Sequence, residues 1–163
     1  MRRRHPRALS ALLPAVALLA VSAGDSSAQD QPEAPALSRY RVAVMTSLQE
    51  HNSALRLLLS GDVAQPEHVV LHARAVHDML AMAAVSFPAG SGGPGTRALP
   101  AIWENWDDFA AKLDAARASA AALQAAAEAG DVEGTAAALR EVGQSCLSCH
   151  REYRARGVIG GGS

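Results

Sequence analysis

From Leu37 onward, apolar residues recur at intervals of three and four: Leu37, Tyr40, Val44, Met45 and Leu48, then Leu55, Leu58 and Leu59 beyond a polar gap at His51 and Asn52. This period is that of an amphipathic helix and predicts a first helix ending at Gly61. Pro66 suits a first helical position, and Val69, Val70, Ala73, Val76, Met79, Leu80 and Ala83 carry the period to Phe87, so a second helix stops before Pro88. The stretch "PAGSGGPGTRALP" (88–100) is rich in glycine and proline and reads as a long loop. A third helix opens at Pro100 or Ala101, is favoured by its many alanines, and ends at Gly130. Asp131 is placed to cap a fourth helix, which carries Ala136, Leu139, Val142, Gly143, Cys146, Cys149, His150 and Tyr153 on one side and ends at Gly157. No segment alternates as a strand would. The predicted fold is all-α, an antiparallel four-helix bundle.

The ends of the chain have a different character. Arg2, Arg3, Arg4 and Arg7 precede the apolar run "ALSALLPAVALLAVSAG" and then "SSA" at 26–28, the build of a secretory signal cleaved after Ala28. The run is shorter than the ~20 apolar residues of a membrane span and is interrupted by Pro14, so no stable membrane anchor is expected. No cysteine lies near the cleavage site to carry a lipid. The expected organisation is a signal peptide over 1–28, a flexible leader over 29–36, one bundle domain over 37–157 and a flexible tail over 158–163. Export through such a signal predicts a periplasmic product. Removing residues 1–28 takes four arginines and Asp25 from fifteen basic and sixteen acidic residues, leaving a net charge of about −4. No basic stripe with interleaved aromatics remains, which argues against nucleic acid as a partner.

The chain's two cysteines both fall in "SCLSCHREYR" (145–154). On a helix, Cys149 lies about 300° and His150 about 40° round from Cys146, so the three side chains share an arc of about 100° and can address one ligand. Covalent haem c needs two thiols for two vinyl groups and an imidazole for the iron, and this spacing supplies them. Structural zinc sites usually bring thiols in two separated pairs. A thioredoxin-like dithiol belongs beside a strand near a helix start, and a disulfide here would crosslink almost nothing. One covalently attached haem, with its iron, is the reading these residues favour. It would also help to fill an interior that alanine side chains leave poorly filled. Gly143, one turn before Cys146, is expected to make room for the macrocycle or a neighbouring helix.

His150 fills one axial position, and helix one offers Arg41 and Met45 on a single face for the other side. A thioether from Met45 would raise the iron's potential and suit electron transfer, but methionine also serves as ordinary core filling. Arg41 can pair with a propionate through a charge-assisted hydrogen bond. His68 and His72, one turn apart and near His77, can form a small metal site, although such histidines are usually solvated; His51 is a further imidazole on helix one. Glu104, Asp107 and Asp108 are assigned to the helix dipole alone. No paired acids, activated nucleophile or phosphate loop is found, so no enzymatic role is expected.

Three stretches, "YRVAVM" on helix one, "AIWENWDDF" opening helix three and "VGQSCLSCHREYR" closing helix four, resemble the class II c-type cytochromes, the family of cytochrome c prime and its low-spin relatives. The resemblance covers residues 38–156. It implies that Cys146 and Cys149 hold the haem, that His150 is the proximal ligand, that Arg41 lies near a propionate and Arg154 near the proximal histidine. The position of Met45 is the family's branch point: low-spin members place methionine there, high-spin members often leucine or another non-ligand. The expected function is a monohaem electron carrier with His150 and Met45 on the iron. The alternative is a five-coordinate cytochrome c prime that binds nitric oxide or carbon monoxide. The resemblance also implies a homodimer through helices one and two, for which Leu55, Leu58, Val69 and Val76 are candidate surface. The net negative charge points to basic redox partner proteins.

Overall fold

The computed structural model describes residues 36–93 and 95–157. The predicted signal peptide and tail, and the leader up to residue 35, lie outside the described residues. The described residues form five helices in order: α1 (Ala36–Leu59), α2 (His68–Ala84), α3 (Ala101–Glu104), α4 (Trp106–Glu128) and α5 (Val132–Tyr153). The four long ones form a four-helix bundle. α1 packs along α2, α2 along α4 and α4 along α5, whereas α1 and α5 meet only sparsely.

Small residues set the close pairings. Ala73, Ala83 and Ala120 are fully buried together with Leu55, Val76 and Leu123, and Val142 of α5 is almost so. Leu55 and Val76 therefore belong to the core and are not available as dimer surface. A second cluster of larger side chains, Phe87, Ile102, Phe109, Leu113 and Tyr153, fills one end of the bundle. Phe109 meets Phe87 and Tyr153 edge to face, with ring centroids 4.8 and 5.2 Å apart.

Helix boundaries follow local chemistry. Gly130 takes a φ of +70° beyond the end of α4, as the predicted stop requires. The Asp131 carboxylate then accepts the Gly134 N–H at 2.9 Å and caps α5 as expected. Two boundaries differ from expectation. Pro66 lies in a turn and α2 starts at His68. The predicted third helix breaks at Asn105, whose backbone (φ −125°, ψ 51°) leaves the helical region while its side chain donates to the Ala101 carbonyl at 3.4 Å. Asparagine offers the backbone such local alternatives to helical pairing.

α5 also stops earlier than predicted, at Tyr153. Arg154 is extended and bridges Ala98 in an isolated antiparallel pairing, with Leu99 N–H donating to Tyr153 O at 3.0 Å and Ala155 N–H to Arg97 O at 2.8 Å. The 85–100 loop needs partners for its backbone groups, and the chain beyond α5 supplies them. At its other side the loop is held by Trp103, whose Nε1 donates to the carbonyls of Phe87 and Pro88 at 3.3 and 3.1 Å. A Cβ at Gly92 would stand 2.6 Å from the Trp103 ring, so any larger residue there would have to displace that ring.

Candidate haem site

The sparse meeting of α1 and α5 leaves a cavity of about 560 Å³, within the ordinary size range of ligand pockets. Cys146, Cys149 and His150 line it from α5, and Arg41 and Met45 from α1. Phe87, Ile102, Phe109 and Leu113 give it an apolar wall. Residues predicted from two distant stretches of sequence thus share one cavity.

The three α5 side chains are half-buried, and both thiols are free. Burial pushes the Cys146 thiol up from its ordinary range. Burial, followed by the neighbouring Cys146, pushes Cys149 up to about 11. Both therefore keep their protons at neutral pH, unlike thiols tuned for nucleophilic or redox work. His150 moves the other way: burial first, then the charges of Arg154 and Arg97, hold its imidazole below the usual histidine range. It is neutral at pH 7, the state in which imidazole donates to a metal. Arg154 is exposed and lines the same cavity, close enough for its charge to act on His150.

Arg41 is buried and does more than was expected of it. Its Nε donates to Ser86 O at 2.9 Å, and its Nη2 to Ser91 Oγ at 2.7 Å and Ser91 O at 3.3 Å. The guanidinium stands 4.3 Å above the Phe87 ring, and burial lowers its pKa. Arg41 therefore ties the 85–100 loop to α1 while lining the cavity. Met45 is half-buried and packs against both hydrophobic clusters.

Sequence reasoning missed several lining residues. Arg97 sits in the loop, where no periodicity marks a facing direction, and Lys112, the chain's only lysine, carries no motif. With Arg41, Arg56 and Arg154 they make five cations around the cavity, and no carboxylate lines it among the described residues. Asn52 is buried, donates to Leu48 O at 2.7 Å, and leaves its Oδ1 without a partner. A Cβ at Gly143 would meet nothing within 4 Å, so this glycine opens onto the cavity and not onto another helix.

His51 does not line the cavity; it faces His72 of α2 instead. Among the described residues no group of three or more metal-ligating side chains stands together, so His68, His72 and His77 form no such cluster. Asp107 and Asp108 do occupy the first turn of α4, yet Asp108 also accepts the Tyr153 hydroxyl at 2.5 Å, a role beyond the dipole.

The donor set and the cavity fit a haem: two protonated thiols, a neutral imidazole, an open glycine floor and a cationic lining for a dianionic group. The Cytochrome C′ family profile matches residues 36–154. The chain belongs to the cytochrome c′ family. Cytochrome c′ of Rhodospirillum rubrum is 31% identical over 117 residues, covering 71% of this chain and 80% of that protein. Cytochrome c-554 of Cereibacter sphaeroides is 33% identical over 150 residues, covering 87% of this chain and 96% of its own length. A nitric oxide complex of a cytochrome c prime variant from Alcaligenes xylosoxidans superposes with a TM-score of 0.69 at 27% identity, over 74% of this chain and 94% of that one. The cofactor of the cytochrome c′ family is one covalently attached haem c with its iron, and it is the cofactor of this member.

Proposed function

We propose that this cytochrome c′ family protein binds a small diatomic gas at a haem held between α1 and α5. Cys146 and Cys149 supply the thiols for the two thioether bonds, and His150 the proximal nitrogen. When bound, the haem supplies an iron with one further position for a neutral ligand. Arg41, Arg97 and Arg154 are the residues best placed by charge to take its carboxylates, with Arg154 also beside His150. Leu113, Phe109 and Ile102 exclude water from the apolar side of the cavity.

The observation that carries this reading is the placement of Met45. Its side chain is engaged with both core clusters, which is the packing role of methionine, and it walls the cavity from α1. The nitric oxide complex of the similar cytochrome c prime supports the same reading. A second reading has one observation in its favour: Met45 shares the cavity with His150, and its thioether would give a six-coordinate carrier suited to electron transfer. Neither reading involves transformation of a substrate.

Optical spectra of the purified holoprotein, oxidised and reduced, with and without carbon monoxide, separate the two. The gas-binding reading expects a high-spin spectrum that shifts with carbon monoxide and a Met45→Ala variant with the same spin state. A low-spin spectrum indifferent to the gas, converted to high-spin by Met45→Ala, would replace it with the electron carrier.

Residues 1–28 are proposed to direct export to the periplasm. No helix among the described residues is long and apolar enough to cross a membrane. A homodimer through α1 and α2 would draw on the exposed Leu57 and Leu71 in place of Leu55 and Val76. The cationic lining reverses the expectation drawn from net charge: a redox partner docking over the cavity mouth would present acidic groups.

A further inference from the structure

Away from the haem cavity, α1 and α2 bring two imidazoles together. His51 Nδ1 and His72 Nδ1 are 2.8 Å apart, with ring centroids at 5.1 Å, and both side chains are half-buried. His68 stands one turn before His72 on α2, exposed, with Glu67 at 3.8 Å as its ion-pair neighbour. None of the three lines the cavity.

We propose that His51 and His72 form a two-imidazole site for a divalent transition-metal ion, best matched to Cu(II), with His68 as the side chain able to swing in as a third donor. The nitrogen–nitrogen spacing that each candidate ion requires differs. Two metal–nitrogen bonds of about 2.0 Å meeting at a right angle separate their nitrogens by about 2.8 Å, whereas tetrahedral zinc separates them by about 3.3 Å. The observed 2.8 Å is the length of the N–H···N hydrogen bond that joins the rings in the metal-free state. Rotation of the two rings that turns both Nδ1 lone pairs onto a shared ion at this same spacing gives adjacent corners of a square plane, the geometry of Cu(II) with nitrogen ligands. Copper also stands highest in the affinity order of the divalent first-row metals.

The donors are ready for this use. Burial, then the proximity of His51 and His68, holds His72 below the usual histidine range, so its ring is neutral at pH 7. In the metal-free pair one ring donates its Nδ1 proton to the other. On metal binding that proton moves to Nε2 of the same ring, both Nδ1 lone pairs face the ion, and no net proton is released. Each ring sits on a long helix packed along the other, so the bite between them is set by the α1–α2 contact and not by a loop. The His68–His72 spacing of four places both on one face of α2, the arrangement by which two helical histidines chelate a metal.

The test is calorimetric titration of the haem-loaded protein with copper(II) chloride in a non-chelating buffer at pH 7.5, compared with His51→Ala, His72→Ala and His68→Ala. The expected result is a single Cu(II) bound, weakened at least about ten-fold by His51→Ala and by His72→Ala and less by His68→Ala. Zinc chloride should bind more weakly than copper. Because removing a packed ring can loosen the α1–α2 contact, His51→Gln is measured alongside, with an unchanged haem spectrum as the check on folding; the same loss is expected. Thermal unfolding gives a second readout: Cu(II) bridging α1 to α2 should raise the wild-type midpoint and leave that of His51→Gln unmoved. Wild-type protein that takes up no copper, or His51 variants that bind it as tightly as wild type, would overturn the proposal.

Discussion

Tyr153 closes α5 with its ring against Phe109 and its hydroxyl donating to Asp108, while Lys112 reaches both Asp108 at 3.5 Å and Glu152 at 3.3 Å. The hydrogen bond to Asp108, then burial, pushes the Tyr153 phenol up to about 12. The folded protein thus favours the protonated phenol, while an unfolded tyrosine titrates near about 10. The contribution is complete below about pH 10 and is lost as pH rises through the folded value. The urea midpoint is expected to fall across that window in the wild type and to stay flatter in Tyr153→Phe; parallel declines in the two proteins would refute the assignment. This contact also shows where residue-level reading of the sequence ends. Cys146, Cys149 and His150 are adjacent in the chain, so one helical turn suffices to bring them together. Asp108 and Tyr153 are 45 positions apart, and nothing local to Asp108 distinguishes it from a first-turn acid. The unpartnered Asn52 Oδ1 was equally hidden, since a polar gap in an apolar stripe does not say which neighbour it faces.

At the scale of elements, the punctuation residues were the most legible part of the fold. Gly130 and Asp131 adjoin in the chain and mark one helix end and the next helix start by backbone and side-chain chemistry that needs no tertiary context. Asp131→Ala is therefore expected to cost about 1 kcal/mol, and Asp131→Asn much less, as read from chemical denaturation. An unchanged midpoint in Asp131→Ala would mean that water satisfies the Gly134 N–H equally well. The breaks that escaped prediction are those set by packing. Asn105 interrupts a run whose alanines favour continuous helix, and the interruption serves the burial of both Ile102 and Phe109 in the aromatic end cluster. The early end of α5 likewise depends on the 97–99 backbone, which offers Arg154 and Ala155 a better partner than another helical turn.

Across the whole molecule, α2, α4 and α5 form a continuous set of packed pairs, and α1 joins them chiefly through α2. The open seam between α1 and α5 holds the cavity, so a haem bound there as proposed would stand in for a helix–helix interface. In a Cys146→Ser/Cys149→Ser protein freed of haem, backbone amides of α1 should exchange with solvent faster than those of α4, and the difference should shrink in the haem-loaded wild type. Equal protection of α1 and α4 without haem would show that the bundle closes unaided. The family and the bundle were legible because their signals are local: one motif and one period repeated along the chain. The fit of Met45 between two clusters was not, because it depends on which helices meet and which do not. The same seam also imposes an order in time. Among the described helices, one wall of the cavity comes from α1 and the other from α5, so a nascent chain from which Cys149 and His150 have not yet emerged lacks one wall of it. Topology thus defers completion of the cavity until α5 has been made, and a product cut short before residue 146 lacks both cysteines.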